Sequence, residues 1–267
     1  MIEILMFHRV LPKSKIDFND AYFIRGTLIS QERLEKLILE YLRNDYSFKT
    51  ISNLDDAPNT SQVALTFDDG YTDNYLYAKP ILEKYNIKAT FYPVIGYCKE
   101  RKIAPLDYYY HYVNENITLD KKDDWITGKQ KIIFLRYSIT QQEEFIKTLL
   151  NSNNLRNNVS YMSINQLQDL SSLGHEIGGH SMYHDLYTKL STEGICQDIQ
   201  QTKQALFEIG IEIESYAYTD GQYNSTIVEI LKNKNKKYAC AIKSKKLTQN
   251  EELELEEIGR IFYHMIQ

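Results

Sequence analysis

Two short stretches of this chain carry the residue types that bind metals and move protons. One is Leu65-Thr66-Phe67-Asp68-Asp69-Gly70, in which an apolar run delivers two consecutive carboxylates into a turn. The other is Gly179-His180-Ser181-Met182-Tyr183-His184, whose imidazoles stand at an i, i+4 spacing that can bring both to one side of a helical turn. Two neutral imidazoles and one carboxylate make a three-ligand set for Zn²⁺ or a similar divalent ion. Such a set leaves a position open for water, which is the catalytic and not the structural type of site. The second carboxylate can then act as a base, because neighbouring residues in an extended segment point in different directions. Each stretch alone has an ordinary reading: Asp-Gly is a common turn signal after a strand, and histidine pairs at this spacing arise by chance. Together they point to metal-assisted hydrolysis.

These residues need a scaffold, and the sequence alternates strand and helix signals along most of its length. Short apolar runs rich in β-branched and aromatic residues predict strands over 2–7, 63–67, 89–94, 176–178, 213–218 and 238–242, the last as the final buried strand. Leu34, Leu37, Ile38, Tyr41 and Leu42 recur at helical spacing behind the N-cap candidate Ser30. Further helices are expected over 75–85, with Pro80 in or near it, behind the capping box Ser163 and Gln166, through Ile195, Ile199, Thr202, Leu206 and Ile209 up to Gly210, and over 226–231. This order predicts an α/β fold.

Residues 97 to about 160 break the rhythm with a tyrosine cluster, the single tryptophan Trp125, and a helix behind the capping box Thr140 and Glu143. We expect one catalytic domain over 1–267 with an insertion at about 97–160. Tyr108, Tyr109, Tyr110 and Tyr112 could stack on a sugar, although packing of the insertion is the expected role. His175 reads as a surface or capping residue.

Composition excludes several classes. Among 267 residues, 43% are hydrophobic and the formal charge is −5, so the chain should be globular. Acidic residues outnumber basic ones 36 to 31 and no Lys/Arg block dominates, which argues against nucleic acid as a partner. No stretch approaches the ~20 apolar residues of a transmembrane segment. The opening MIEILMFHRV has no basic segment before its short apolar run, so no export signal is read there and a cytoplasmic location is expected. Cys98, Cys196 and Cys240 are widely spaced and odd in number, which suits reduced thiols.

The two motifs resemble those of the polysaccharide deacetylases, also called the NodB-homology domain or carbohydrate esterase family 4. The first motif of that family looks like TFDDG, here Thr66 to Gly70, and the second like H-[ST]-x-x-H, here His180 to His184. Flanking segments are similar too: MFHRV, TFDDGYTDNYLYAKPILEKYNIKATFYPV, INQLQDLSSLGHEIGGHSMYHDLYTKL and SYAYTDGQYN occur in the family's order. The resemblance implies a distorted (β/α)7-type barrel and removal of acetyl from an N-acetylated amino sugar or glycan precursor. It also implies Asp69, His180 and His184 as ligands of a divalent ion, most simply zinc, and Asp68 as general base. A divalent ion polarises an amide carbonyl and lowers the pKa of its water to roughly 7, where a carboxylate can take the proton.

The chain departs from the family at the third motif. One subset has A-Y-P-Y-G, whereas this sequence has Ala217-Tyr218-Thr219-Asp220-Gly221. The backbone N–H of Asp220 can still donate to an oxyanion, but its carboxylate would repel one unless it points away, pairs with a cation or reads a substrate group. The family's L-x-H-like acid motif has no clear match. The ending LEEIGRIFYHM is similar to the R-I ending of the same subset, which places Arg260 near the barrel and makes His264 the candidate acid. His8 matches the M-Y-H-R-x opening of that subset and is a candidate for the pocket wall. Two rival readings stay open: hydrolysis of a non-sugar amide or C–N bond, and a barrel that binds glycans without catalysis.

Overall fold

In this computed structural model the described residues are 1–55, 58–150, 159–233, 238–242 and 258–262, the last two ranges through their backbone. The strands among them are β1 (Ile2–Phe7), β2 (Arg9–Leu11), β3 (Leu28–Ser30), β4 (Ser47–Lys49), β5 (Gln62–Asp69), β6 (Thr90–Pro93), β7 (Glu176–Ile177), β8 (Ser215–Ala217), β9 (Tyr238–Ile242) and β10 (Ile258–Phe262). The α-helices are α1 (Ala21–Arg25), α2 (Gln31–Arg43), α3 (Lys79–Lys84), α4 (Ile95–Glu100), α5 (Pro105–Asn116), α6 (Leu119–Ile126), α7 (Lys129–Arg136), α8 (Ile139–Leu149), α9 (Ile164–Ser172), α10 (Thr192–Phe207) and α11 (Ser225–Asn233). None of them is long and apolar enough to cross a membrane.

The main sheet runs β7-β6-β5-β1-β10-β9-β8, all parallel, with β4 beside the first half of β5. Its two ends meet. Gly179, just past β7, forms a parallel bridge with Tyr216 of β8, and the Ala217 N–H donates to the Gly179 carbonyl at 2.9 Å. This closes the sheet into the expected (β/α)7-type barrel. A Cβ on Gly179 would sit 2.3 Å from the Tyr216 ring, so the closure requires glycine there.

All six residues of β1 are buried, as expected of a central parallel strand covered on both faces. Ile2, Ile4, Ala64, Tyr92 and Ala217 form the inner cluster with Ile51 and Leu54, while Leu5, Phe7, Leu65, Phe67 and Phe91 join the helices in the outer core. Phe7, Phe67 and Phe91 lie in register on adjacent strands, their rings 5.4 and 5.0 Å apart. At the N-terminal end of the barrel, Glu176 accepts hydrogen bonds from Ser52, Thr90 and Ser215, tying β6, β7 and β8 together. That leaves the C-terminal ends of the strands for chemistry.

Several expectations are corrected. The segment over 75–85 starts with a π-helical turn at Asn74–Ala78, and Pro80 falls in the first turn of α3, where a missing N–H is harmless. The capping box of α8 is Ser138 with Gln141, not Thr140 with Glu143. The strand over 238–242 is not the last, because β10 follows and pairs with both β9 and β1. His175 is buried, and its Nδ1 accepts the Ala89 N–H at 3.1 Å. Ser30 and the Ser163–Gln166 box do cap α2 and α9. Gly210, at φ +80°, ends α10 with the Ile211 N–H donating back to Leu206 and its own N–H to Phe207, a Schellman arrangement.

Between β6 and β7 the chain builds α5 to α8, the four helices of the segment read as an insertion. Tyr109 stacks on Phe134 at 4.5 Å and Tyr110 meets Tyr22 edge-on at 4.9 Å, so these tyrosines pack the segment. Its tie to the barrel is Asp107, buried at the start of α5, which accepts hydrogen bonds from the phenols of Tyr22, Tyr71 and Tyr161. Replacing Asp107 with Ala leaves three buried hydroxyls unpaired. We expect a loss of about 3 kcal/mol or more in urea unfolding monitored by circular dichroism; a variant as stable as the parent would contradict this role for Asp107.

Candidate active site

The alternation of β5 sets the two carboxylates apart. Ala64 belongs to the inner cluster, and Thr66 and Asp68 continue its face of the strand, so Asp68 stands inside the barrel mouth and is 2% exposed. Asp69 would follow the outer face, but its φ of +70° turns it over the strand ends. Gly70 continues the turn at φ +82°. Asp and Gly tolerate this left-handed backbone better than other residues.

The histidines come from the loop after β7. The i, i+4 pair does not sit on a helical turn as its spacing suggested; Ser181 and His184 both have φ +64° in an irregular loop. Asp198 of α10 holds that loop from beneath. Its carboxylate accepts the Ser181 hydroxyl and the Met182 N–H, both at 3.0 Å, and the Tyr187 hydroxyl at 2.6 Å. Ser181 Oγ in turn accepts the Asp185 N–H at 3.0 Å, and Thr219 donates to the Asp185 carbonyl at 2.7 Å.

The donor atoms converge. His180 Nε2 lies 3.4 Å and His184 Nε2 3.6 Å from Asp69 Oδ1, and the three donors fall within 4.8 Å of one another. A four-coordinate ion with bonds of about 2.0–2.2 Å places its ligands roughly 3.3–3.6 Å apart, so this set fits a small divalent cation. His180 Nδ1–H donates to the Ala217 carbonyl at 2.9 Å, which selects the tautomer whose Nε2 lone pair faces Asp69.

The charges are strongly coupled. Burial alone would raise the Asp69 pKa, but the imidazoles of His180, His8 and His184 around it hold it well below the usual carboxylate range. Burial opposes a charge on His180, yet Asp69, Asp68 and the Ala217 carbonyl raise its pKa. For His184 burial and the neighbouring His180 and His8 prevail over Asp69 and Asp220, and its pKa is lowered.

His8 follows β1 directly and lines the same small chamber as Asp68, Asp69, His180, His184 and Asp220. Two bonds fix the end of β1 there: Asn74 Nδ2–H donates to the His8 carbonyl at 2.7 Å, and the Arg9 guanidinium pairs with Asp73 at 2.8 Å. Asp220 is exposed, has φ +51°, and accepts from Gln222 at 3.3 Å. Arg260 lies in β10 opposite Ile242 of β9, one position before the residue that faces Leu5 of β1. Its side chain and the whole of His264 lie outside the described residues.

A larger cavity of about 290 Å³ opens on the other side of Asp69 and His184. Tyr71, Tyr97, Tyr161 and Tyr183 give it aromatic walls, and α8 closes it with its N-cap Ser138 and with Gln141 and Gln142. Among the residues just named, only Tyr71, beside Gly70, and Tyr183, within the His180–His184 stretch, belong to or adjoin a recognisable motif. Tyr110 lines the small chamber, and so do Arg25 and Lys131, which carry no motif either.

Residues 55–239 match the family model described as polysaccharide deacetylase. Protein YxkH of Bacillus subtilis (strain 168), whose name places it among polysaccharide deacetylases, is 52% identical over 40 residues, 15% of this chain and 14% of that protein. The fold is similar to that of the Streptococcus pyogenes deacetylase PplD in complex with acetate, with a TM-score of 0.64 and 18% identity over 97% of this chain and 91% of that one. IcaB from Ammonifex degensii gives a TM-score of 0.63 and 20% identity, covering 97% of this chain and 90% of that one.

The support beneath the histidine loop makes a testable claim. Asp198→Asn keeps the size of the side chain but sets an amide where Met182 N–H and two hydroxyls need an acceptor. We expect zinc affinity, measured by competition with a chromophoric chelator, to fall about 10- to 100-fold with the circular dichroism spectrum unchanged. Unchanged affinity would show that the loop holds its shape without Asp198.

Proposed function

The chain belongs to the polysaccharide deacetylase family, and from that premise we propose that it is a metal-dependent hydrolase that removes an N-acetyl or other N-acyl group from an amino sugar. The observation that carries this reading is the convergence of Asp69, His180 and His184 within 4.8 Å, with Asp68 in the same chamber. Asp69, His180 and His184 would hold the ion, and a borderline cation such as zinc suits one carboxylate and two imidazoles. When bound, the ion polarises the acyl carbonyl and makes a water more acidic.

The protein's own residues supply the rest. The aromatic cavity beside Asp69 and His184 has the size and apolar walls to seat a sugar with its acyl group at the strand ends. Asp68, buried and on the inner face of β5, is the base that takes a proton from the attacking water. The backbone N–H of Asp220 is the donor for the developing oxyanion, a role that the Thr219 and Asp220 side chains leave intact. His264 is the proposed proton donor to the leaving amine. Addition of water across the C–N bond then gives a free amine and a carboxylic acid.

We place the substrate in the cytoplasm, as a nucleotide-linked or lipid-linked precursor of a surface glycan. The unpaired thiols of Cys98 and Cys196 support that location, Cys98 being buried with its pKa pushed up to about 12. Recovery of the protein from the secreted or periplasmic fraction would remove this part of the reading.

The test of the whole is elemental analysis beside acetate release. We expect about one equivalent of metal in the parent, large losses in Asp69→Asn and His180→Ala, and full metal with turnover reduced by several orders of magnitude in Asp68→Asn. Equal metal in all variants would overturn the ligand assignment. Acetate released from simple acylated amines but from no N-acetylhexosamine derivative would overturn the sugar substrate.

A further inference from the structure

The small chamber at the proposed ion site contains two cations that the reaction described above does not use. Lys131 is contributed by α7 of the inserted segment and Arg25 by the last turn of α1, and both line the chamber with Asp69, His184 and Asp220. Lys131 is 6% exposed. Its ammonium donates to the Tyr110 hydroxyl at 2.7 Å and lies 5.3 Å from the Tyr110 ring centre, so its one hydrogen-bond partner among the described residues is a neutral phenol. Among the described residues neither Lys131 nor Arg25 is within ion-pair distance of a carboxylate.

A buried ammonium without an ion pair is costly, and burying it beside a guanidinium adds repulsion; the chamber's carboxylates Asp68, Asp69 and Asp220 stand beyond ion-pair distance of it. Burial and Arg25 push the Lys131 pKa down to about 8, against a weaker pull from Asp220 and Asp69. A site that maintains such a charge is arranged for an anion that arrives with the ligand. The chamber has about 50 Å³ for it. A single water needs about 10–15 Å³ by this measure, so the space suits a group the size of a carboxylate or phosphate. The chamber and the large cavity meet at Asp69, Tyr71, Leu106 and His184, so a sugar seated in one can extend a substituent into the other.

We propose that Arg25 and Lys131 form an anion subsite, and that the substrate is an N-acylated amino sugar carrying a phosphate or carboxylate. This rests on the deacylase reading given above and narrows its substrate class. The inserted segment then has a function in selectivity, because Lys131 reaches the chamber only through α7.

The test uses the full-length, zinc-loaded protein and four probes: N-acetylglucosamine, its 1-phosphate, its 6-phosphate, and the N-acetylated hexosaminuronic acid. Calorimetric titration should give at least tenfold tighter binding of one charged probe than of the neutral sugar, weakening as salt is raised. Preference for a phosphate ester or for the uronate identifies which anion is read. Lys131→Met and Arg25→Gln should each reduce the charged-to-neutral ratio of affinity, and of kcat/KM, about tenfold. Lys131→Met should also melt no lower than the parent at pH 7, with its advantage shrinking above pH 8 as the parent's Lys131 loses its proton. If Lys131→Met does not fold, Arg25→Gln, at a half-buried site, still decides the question. Equal affinity for charged and neutral probes in the parent overturns the subsite, as does an equal loss on both in the variants. Charged probes that bind through Arg25 and Lys131 but are never deacylated uphold the subsite and overturn the reaction; deacylation without charge preference does the reverse.

Discussion

The structure depends on bringing one carboxylate oxygen and two imidazole nitrogens, from segments far apart in the chain, within 4.8 Å of each other. Regular secondary structure cannot do this. Asp69, Ser181, His184 and Asp220 all take the left-handed backbone that disfavours residues with a Cβ, at φ +70°, +64°, +64° and +51°. Roughly 1–2 kcal/mol for each makes a strained site whose cost is several kcal/mol. The offset is visible around it: three hydrogen bonds into the Asp198 carboxylate and the Ala217 carbonyl on His180, with charged hydrogen bonds contributing roughly 1.5–3 kcal/mol each. The closed barrel supplies the remainder, since the Gly179–Tyr216 bridge fixes where the histidine loop begins.

In the proposed reading the same constraint lets a common scaffold take a particular substrate. The barrel supplies Asp68 and Asp69 from the end of β5 and His180 and His184 from the loop after β7, and in the proposed reading these set the reaction type. The walls of the adjoining spaces come largely from elsewhere. α5, α7 and α8 contribute Leu106, Tyr110, Lys131 and Gln142, and Asp107 anchors them by gathering Tyr22, Tyr71 and Tyr161. In the proposed reading, chemistry and recognition are encoded in different parts of the chain and meet at Asp69 and His184.

The converging Asp69, His180 and His184 and the barrel were legible because they lie where apolar strands end abruptly in polar residues. Val63 to Phe67 is a continuous apolar run but for Thr66, and two acids and a glycine after it leave little choice but a turn. What failed were choices between near-equivalent local patterns. Ser138-x-x-Gln141 and Thr140-x-x-Glu143 overlap as capping boxes, and only the docking of α8 selects the first. The His180–His184 spacing suits a helix, but the bonds to Asp198 hold the loop open. His175 looked polar and peripheral, yet the turn at Gly174, φ +84°, sends it inward to the Ala89 N–H. β2, β3 and β4 span three residues each, too few for a period to show. Arg25 and Lys131 meet only through tertiary packing, which no spacing records.

The most direct measurement is anomalous X-ray scattering at the zinc edge from crystals of the protein grown with zinc. The account predicts one strong peak at the strand ends, about 2.0–2.2 Å from Asp69 Oδ1, His180 Nε2 and His184 Nε2, with Asp68 nearby but outside bonding distance. Crystals that scatter anomalously elsewhere, or show these three side chains ordered around no ion, would contradict it.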